Sequence, residues 1–272
     1  MHNIKAVIAG LITVLAMGRS EAQQPSSLLS AQAPTTTSAH SAAKTTIVLV
    51  HGAFADASGW QAVIAILQRD GYKVVAVQNP LASLEGDVET TKRLIDAQAG
   101  PVVVVGHSYG GAVISGAAAG NANIKALVYI AAFAPEAGEP IDKFLDKYPS
   151  DLGAALAPDA AGFLYVIPAK FHDVIAADIS KEQAEVAAAT QKPITGAVFK
   201  QSVPTAAWKQ IPSWYMVAQQ DHALNPDLER FYAKRINART TEIKSSHAVF
   251  VSHPQEVAKL IVEAAVAGEA HR

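Results

Sequence analysis

The sequence predicts an α/β fold, namely a doubly wound, mainly parallel sheet of six strands with helices on both faces. Short apolar runs alternate with longer runs of helical period between residues 46 and 119, which is the rhythm of βαβ units. The short runs TIVLV, KVVAV and PVVVV are apolar on both faces and rich in β-branched residues, as is typical of parallel strands covered by helices on each side. Of the 272 residues, 50% are hydrophobic and 17% are charged, so the chain can bury a large core.

The individual elements follow from the same periodicities. We expect strands at 46–50, 73–77, 101–105, 124–132, 212–219 and 240–244. We expect helices at 59–69, 86–97, 109–119, 226–236 and 254–267. Residues 45–133 and 212–272 would together form the α/β core.

Between residues 134 and 211 the strand signals disappear, and the chain becomes a series of short amphipathic pieces separated by prolines. We expect a mostly helical insert there. In a parallel α/β sheet, ligands bind at the carboxyl ends of the strands, so an insert of this size is best explained as a lid over that edge. An additional packing layer without a function is the alternative.

The N-terminus carries the pattern of a secretory signal. Lys5 precedes an apolar run from Ala6 to Gly18, and Ser20 and Ala22 are the small residues that a signal peptidase reads. The run is shorter than the ~18 residues that span a bilayer, so we expect a cleaved signal peptide at residues 1–22 and no stable membrane anchor. Residues 23–44 are rich in Ser, Thr, Ala, Gln and Pro and are expected to form a flexible leader. The protein is thus expected to be exported, either to the periplasm or outside the cell.

Composition excludes several classes of function. With 22 basic and 24 acidic residues and a net charge of −2, the chain has no basic surplus for binding nucleic acid. The absence of cysteine excludes thiolate metal sites, disulfides and a cysteine nucleophile. No H-E-x-x-H metal motif, phosphate loop or dinucleotide fingerprint is present, so we expect neither a metal nor a cofactor.

A serine nucleophile is the strongest functional signal. The pentapeptide from Gly106 to Gly110 has the pattern G-x-S-x-G, directly after the PVVVV strand and directly before a helix. In this context the pattern forces the central Ser108 into a tight, exposed turn; a purely structural turn is the alternative. The backbone N–H groups of Tyr109 and of Ala53, which follows the first strand, are the expected oxyanion-hole donors.

A serine nucleophile needs a base and an acid that orients it. His247 lies in the loop after the last strand, at the carboxyl edge of the sheet, and is the expected base. His51 ends a buried strand and His107 flanks the nucleophile, so both are expected to support the loops. Asp221 ends the 212–219 strand and fits the chain order Ser, acid, His. Asp227 is the rival, although its position after Asn-Pro is typical of a helix start.

These segments resemble the α/β-hydrolase superfamily. The resemblance is carried by HGAFADASGW, by GHSYGG, by Asp221 in VAQQDHALNPD and by His247 in SSHAVFVSHP, and it spans residues 45–267. It implies Ser108 as nucleophile, with Asp221 and His247 completing the triad and the N–H groups of Ala53 and Tyr109 forming the oxyanion hole. The chain is most similar to small serine esterases related to plant methyl-ester hydrolases and hydroxynitrile lyases, and it resembles compact members that lack the opening β-hairpin.

The resemblance also raises a lyase alternative. Hydroxynitrile lyases of this type carry a Thr in the oxyanion loop and a Lys after the catalytic His, and here those positions hold Gly52 and Ala248. A departing cyanide would therefore lack its cationic partner, and hydrolysis is favoured.

We expect a serine hydrolase that cleaves a carboxylic ester or lactone of a small molecule through an acyl-enzyme intermediate. The alternatives are a lyase or cofactor-free haloperoxidase with the same triad, or a relative that binds a small molecule without catalysis. The residues expected to line the substrate pocket are aromatic: Phe54, Phe163, Phe171 and Trp208.

Overall fold

The computed structural model describes residues 44–269. The expected signal peptide at 1–22 and the expected leader, apart from Lys44, lie outside the described residues. The strands are β1 (Thr46–Val50), β2 (Lys73–Val77), β3 (Val102–His107), β4 (Ile124–Ile130), β5 (Leu156–Pro158), β6 (Phe163–Val166), β7 (Ile194–Thr195), β8 (Ser213–Ala218) and β9 (Arg239–Ile243). The α-helices are α1 (Gln61–Arg69), α2 (Leu84–Asp96), α3 (Tyr109–Ala117), α4 (Leu152–Ala155), α5 (Pro168–Ile175), α6 (Lys181–Thr190), α7 (Pro226–Arg235), α8 (Val249–Ser252) and α9 (Pro254–Glu269). Short 3-10 helices lie at Ala57–Trp60, Ile141–Phe144, Gly196–Lys200 and Ala207–Lys209.

The main sheet confirms the fold class that the sequence predicts. Its six strands are arranged in the order β2-β1-β3-β4-β8-β9, and every neighbouring pair is parallel. The chain runs outward from β1 to β2 and then crosses to β3, so the direction of winding reverses between β1 and β3. Ligands of such sheets bind in the crevice at this reversal, outside the carboxyl ends of the strands.

Both faces of the sheet are covered. The buried side chains of β1 show this, since they alternate between two apolar clusters. Val48 and Val50 pack in the cluster that includes residues of α2, α3 and α7. Ile47 and Leu49 pack in the cluster that includes residues of α1 and α9. This two-sided burial explains why the strands read as continuous apolar runs.

The segment 134–211 contains helices α4, α5 and α6 together with a small antiparallel sheet, in the order β5-β6-β7, that the sequence did not predict. These strands have 3, 4 and 2 residues, too few to produce a recognisable alternation of apolar and polar residues. Ala155, Val166, Phe171 and Val174 of the segment join the cluster on the α2, α3 and α7 face. Within residues 44–269, no helix is both long enough and apolar enough to cross a membrane.

Candidate active site

Ser108 occupies a strained turn between β3 and α3. Its backbone lies at φ 52° and ψ −123°, a conformation that is costly for a residue with a side chain. The turn is possible because the residues two positions before and two positions after Ser108 are glycines, which have no side chain. A Cβ on Gly106 would lie 2.6 Å from the carbonyl oxygen of Gly110, and a Cβ on Gly110 would lie 2.6 Å from the carbonyl oxygen of Val50. The two glycines therefore let strand and helix approach closely around the serine.

Backbone hydrogen bonds hold Ser108 in this conformation. Its N–H donates to the carbonyl oxygen of Ile130 over 3.1 Å. Its own carbonyl oxygen accepts from the N–H groups of Gly111 (3.0 Å) and Phe133 (3.1 Å). Ser108 is thereby tied both to its own helix and to the chain that leaves β4, which offsets the cost of the strained backbone.

The loop after β1 lies directly against the serine. A Cβ on Gly52 would come within 2.8 Å of Ser108 Cβ, so only glycine leaves this approach free. Ala53 and Tyr109 line the same cavity as Ser108. Tyr109 is the first residue of α3, where backbone N–H groups have no partner within the helix and the helix dipole is positive. These features are what an oxyanion hole requires.

His51 fixes the orientation of this loop. The N–H of Asn79 donates to His51 Nε2 over 3.1 Å, so the ring proton lies on Nδ1, which donates to the carbonyl oxygen of Gly52 over 2.9 Å. That carbonyl and the N–H of Ala53 belong to one trans peptide and point in opposite directions, so the bond also sets the direction of the Ala53 N–H. Burial lowers the pKa of His51, which favours this neutral tautomer. The sequence-based view of His51 as a loop-supporting residue agrees with this geometry.

Asp87 plays the corresponding part for the helix that follows the serine. Its Oδ2 accepts from the hydroxyl of Tyr109 over 2.7 Å, and its Oδ1 accepts from the N–H of Leu81 over 2.9 Å. Asp87 is fully buried, and this burial raises its pKa. The tyrosine ring is consequently anchored inside the core at the start of α3.

His247 and Asp221 form a buried hydrogen-bonded pair. The imidazole Nδ1 lies 2.5 Å from Asp221 Oδ2, and the other carboxylate oxygen accepts from the N–H groups of Ala223 (2.7 Å) and Leu224 (2.8 Å). A carboxylate can only accept here, so Nδ1 carries the proton and Nε2 is left as the acceptor. His247 lines the cavity that Ser108 also lines.

Asp227, the rival acid, has the local role that its sequence position indicates. Its N–H donates to the side chain of Asn225 over 2.9 Å, and its carboxylate pairs with Arg230 over 2.8 Å. The structure therefore brings Asp221 to His247, and it commits Asp227 to the start of α7.

The loop that carries His247 is held by His107, which the sequence predicts to support a loop, and by Asp178, for which the sequence predicts no role. His107 Nε2 lies 2.9 Å from the carbonyl oxygen of His247 and donates to it. Asp178, in the insert, accepts from the hydroxyl of Ser245 over 2.8 Å and from the N–H of Ser246 over 3.0 Å. Burial would raise the pKa of Asp178, but hydrogen bonds from Ser246, Ser245 and Ser252 outweigh it and leave the pKa below its usual value. The insert therefore supports the position of the histidine.

A second acid lies behind Asp221. Glu229 is fully buried, and its Oε2 accepts from the N–H of Ala218 over 3.0 Å, whereas its Oε1 has no hydrogen-bond partner that meets ordinary geometry. Burial, and secondarily the charge of Asp221, raises the pKa of Glu229 well above its usual value. Two adjacent buried carboxylates do not both ionise readily, so this environment favours the protonated form of Glu229.

Two cavities meet at this site. The first, which we call the Ser108 cavity, has a volume of about 400 Å³ and is bordered by Ser108, Tyr109 and His247. The second, which we call the Phe171 cavity, has a volume of about 470 Å³ and is bordered by His247, Phe171 and Phe250.

The expected pocket aromatics divide between these cavities and the rest of the fold. Phe54 lines both cavities, and Phe171 lines the one named after it. The structure does not bring Phe163 or Trp208 to either cavity. Phe163 pairs with Thr195 in the small antiparallel sheet, and the indole N–H of Trp208 donates to the carbonyl oxygen of Pro135 over 2.9 Å. In the described part of the chain, no group of three or more His, Cys, Asp or Glu side chains is arranged to hold a metal ion.

Comparison with known proteins places this geometry in a family. A model of the alpha/beta hydrolase family matches residues 47–260, which include the whole site. The chain belongs to the α/β-hydrolase family. The resemblance inferred from the sequence is thus confirmed, and so is the family's characteristic parallel sheet.

Several α/β hydrolases are similar to the chain over most of its length. It is 28% identical over 253 residues to the alpha/beta hydrolase nvfD of Aspergillus novofumigatus, covering 84% of this chain and 98% of that one. It is 24% identical over 249 residues to polyneuridine aldehyde esterase of Rauvolfia serpentina, covering 79% and 94% of the two chains. The crystal structure of polyneuridine aldehyde esterase superimposes with a TM-score of 0.71 at 20% identity, covering 81% of this chain and 98% of that one.

A lyase is also among the relatives. The α-hydroxynitrile lyase of Arabidopsis thaliana is 34% identical over 123 residues, which cover 39% of this chain and 48% of the relative. The relatives therefore include both esterases and a lyase, and the residues of the site must decide between the two activities.

Proposed function

We propose that this α/β hydrolase cleaves a carboxylic ester or lactone of a small molecule, with Ser108, His247 and Asp221 as its catalytic triad. The observation that carries the proposal is the His247–Asp221 pair, bonded over 2.5 Å, on the wall of the cavity that the strained Ser108 also lines. The esterases among its relatives support the same reading.

The proposed reaction has two halves. Ser108 Oγ attacks the acyl carbon while its proton passes to His247 Nε2, and the N–H groups of Ala53 and Tyr109 stabilise the negative charge on the carbonyl oxygen. His247 then gives the proton to the departing alcohol. Water attacks the acyl-enzyme by the same route, which releases the acid and restores Ser108. Asp221 holds the imidazole in the tautomer that can accept the proton and stabilises its positive charge.

Labelling and turnover test the proposal together. The wild-type protein is expected to hydrolyse p-nitrophenyl acetate and to gain one fluorophosphonate adduct on Ser108, and Ser108→Ala is expected to lose both. Ser213→Ala is a matched control, because that serine is also buried but only bonds the carbonyl oxygen of Ile211. An adduct on another residue, or turnover that survives in Ser108→Ala, would remove Ser108 as the nucleophile.

The lyase and binding alternatives give different outcomes. The residue after the base is Ala248, which is buried and donates its N–H to the carbonyl oxygen of Ile175 over 2.9 Å, so the position that would hold a cyanide-binding lysine has no charge. We therefore expect no cyanide release from mandelonitrile. Bromination of monochlorodimedone with peroxide would indicate a haloperoxidase, and saturable binding of esters without acid release would indicate a binding protein.

We also propose that the protein is exported, on the strength of the signal-like residues 1–22. Expression of the full chain in a Gram-negative host is expected to give a mature protein whose N-terminus is Gln23, in the periplasm or the medium. An uncleaved N-terminus in the cytosolic fraction would contradict this.

A further inference from the structure

The two cavities share one wall. Phe54 and Ile175 line both, as do Ala53 and His247. Phe54 has a left-handed backbone, at φ 59°, which is uncommon for a residue with a bulky side chain and is maintained only where the surroundings enforce it. A side chain that borders two cavities separates them, so Phe54 and Ile175 form a partition next to the proposed oxyanion loop.

An ester bound for the proposed reaction must span this partition. Its carbonyl carbon lies at Ser108 Oγ, and its carbonyl oxygen lies at the N–H groups of Ala53 and Tyr109. Ser108 and Tyr109 line only the Ser108 cavity, whereas His247, which must reach the leaving oxygen, lines both cavities. The two substituents of the ester group therefore have one cavity each.

The order of the reaction steps indicates which half of the ester lies in which cavity. The acyl group stays bonded to Ser108 after the first step, so its chain belongs in the cavity that Ser108 borders. The alcohol leaves from the His247 side before water enters, so it belongs in the Phe171 cavity. That cavity has an exposed rim on α6, where Glu182 is exposed and Val186 is 64% exposed, which gives the alcohol a way out past the acyl-enzyme.

Both cavities are large and mostly apolar. The Ser108 cavity is walled by Phe133, Leu145, Leu152, Leu156, Phe199 and Leu224. The Phe171 cavity has an apolar floor of Phe54, Phe171, Ile175, Ile179, Phe250 and Val251. Each volume, about 400 Å³ and about 470 Å³, lies within the ~300–1,000 Å³ of pockets that enclose a small organic ligand. An acetate or a methyl group would leave most of either cavity empty.

We propose that the substrate is an ester with two bulky apolar halves, its acyl half in the Ser108 cavity and its alcohol half in the Phe171 cavity. This inference rests on the proposed function, since it assumes attack by Ser108. It excludes acetates and methyl esters as the preferred substrates.

Two series of substrates and two variants test the assignment. Each series varies one half of the ester, and each variant fills one cavity. The acyl series consists of p-nitrophenyl acetate, butyrate and octanoate. The alcohol series consists of the butyrates of methanol, butanol and 2-naphthylmethanol, whose hydrolysis is measured by the release of acid. Leu152→Trp fills only the Ser108 cavity, and Ala187→Trp fills only the Phe171 cavity. Leu152→Phe and Ala187→Leu are milder versions for the case that a tryptophan prevents folding.

In the wild type, kcat/KM is expected to rise at least tenfold along each series. Leu152→Trp is expected to lower kcat/KM at least tenfold for the octanoate relative to the acetate and to keep the ranking of alcohols. Ala187→Trp is expected to lower kcat/KM at least tenfold for the 2-naphthylmethyl ester relative to the methyl ester and to keep the ranking of acyl groups. The inference is overturned if the two variants show each other's expected effects, if each variant lowers kcat/KM equally for all esters, or if the wild type prefers the small esters. Fluorophosphonate labelling of Ser108 without these selective losses would overturn the inference alone, whereas no labelling and no hydrolysis of any ester would overturn the proposed function.

Discussion

Replacing Gly52 by alanine is expected to impair both activity and stability. The new Cβ would lie 2.8 Å from Ser108 Cβ and 3.1 Å from the carbonyl oxygen of His107. Non-bonded carbon atoms prefer ~3.5–4.0 Å, so the proposed oxyanion loop or the serine must move by roughly 1 Å. Gly52 is not among the glycines with positive φ, so alanine suits its backbone and only the contact is disturbed.

A displacement of roughly 1 Å between reacting groups costs about 10²-fold in rate, and an overpacked contact costs about 1–3 kcal/mol in stability. The assay is kcat on p-nitrophenyl butyrate together with thermal unfolding. Gly196→Ala is the control, because its Cβ would meet Leu164 at an ordinary 3.4 Å and should leave both quantities unchanged. A Gly52→Ala protein with wild-type kcat and wild-type Tm would refute the close packing of the loop against Ser108.

Three further changes probe the acids around His247. Asp221→Asn is expected to lower kcat about 10⁴-fold with little loss of fold: the amide oxygen must serve the two backbone N–H groups, so the NH₂ faces His247 and forces the proton onto Nε2. Asp178→Asn is expected to destabilise the protein by about 1–3 kcal/mol at neutral pH and to lower kcat, because the charge that holds Ser245 and Ser246 is lost. The lowered pKa of Asp178 means that its contribution disappears as the pH falls, so urea titrations of wild type and variant should converge in acid. Glu229→Gln is expected to have a Tm close to that of the wild type in acid and to exceed it increasingly as the pH rises. The reason is that the pKa of Glu229 is raised in the folded state, so the wild-type fold loses stability as the pH rises, whereas glutamine does not titrate.

Each of these expectations has a contrary result. An Asp221→Asn protein with more than a tenth of the wild-type kcat would mean that another group orients the imidazole. An Asp178→Asn protein whose stability deficit grows in acid would reverse the assigned direction of its pKa. A Tm difference between Glu229→Gln and wild type that does not change with pH would show that the pKa of Glu229 is the same in the folded and the unfolded state.

The parts of the fold and site that the sequence predicts well are those with a local cause. The strand from 46 to 50 and the turn around Ser108 carry their signals in consecutive residues: β-branched runs, and glycines where a Cβ would collide. The sequence predicts His247 and Asp221 because each follows a strand, and carboxyl ends of parallel strands meet at one edge of the sheet. The structure places the two in contact.

The parts that the sequence could not provide depend on contacts between distant residues. Asp178 holds Ser245 from 67 residues away, and nothing in its neighbourhood distinguishes it from other acids of the insert. The sequence predicts Phe163 and Trp208 in the pocket because large aromatics often line pockets, yet only packing decides whether a ring faces a cavity or the core of the insert. The strands β5, β6 and β7 are likewise too short to be read from a pattern.

We propose that Ser108 attacks within a site formed by His247 and the N–H groups of Ala53 and Tyr109, and a crystal structure of the fluorophosphonate adduct would test this proposal. We expect phosphorus bonded to Ser108 Oγ, with the phosphonyl oxygen ~2.7–3.1 Å from both N–H groups. Phosphorus on any other residue, or a phosphonyl oxygen that points away from both donors, would contradict it.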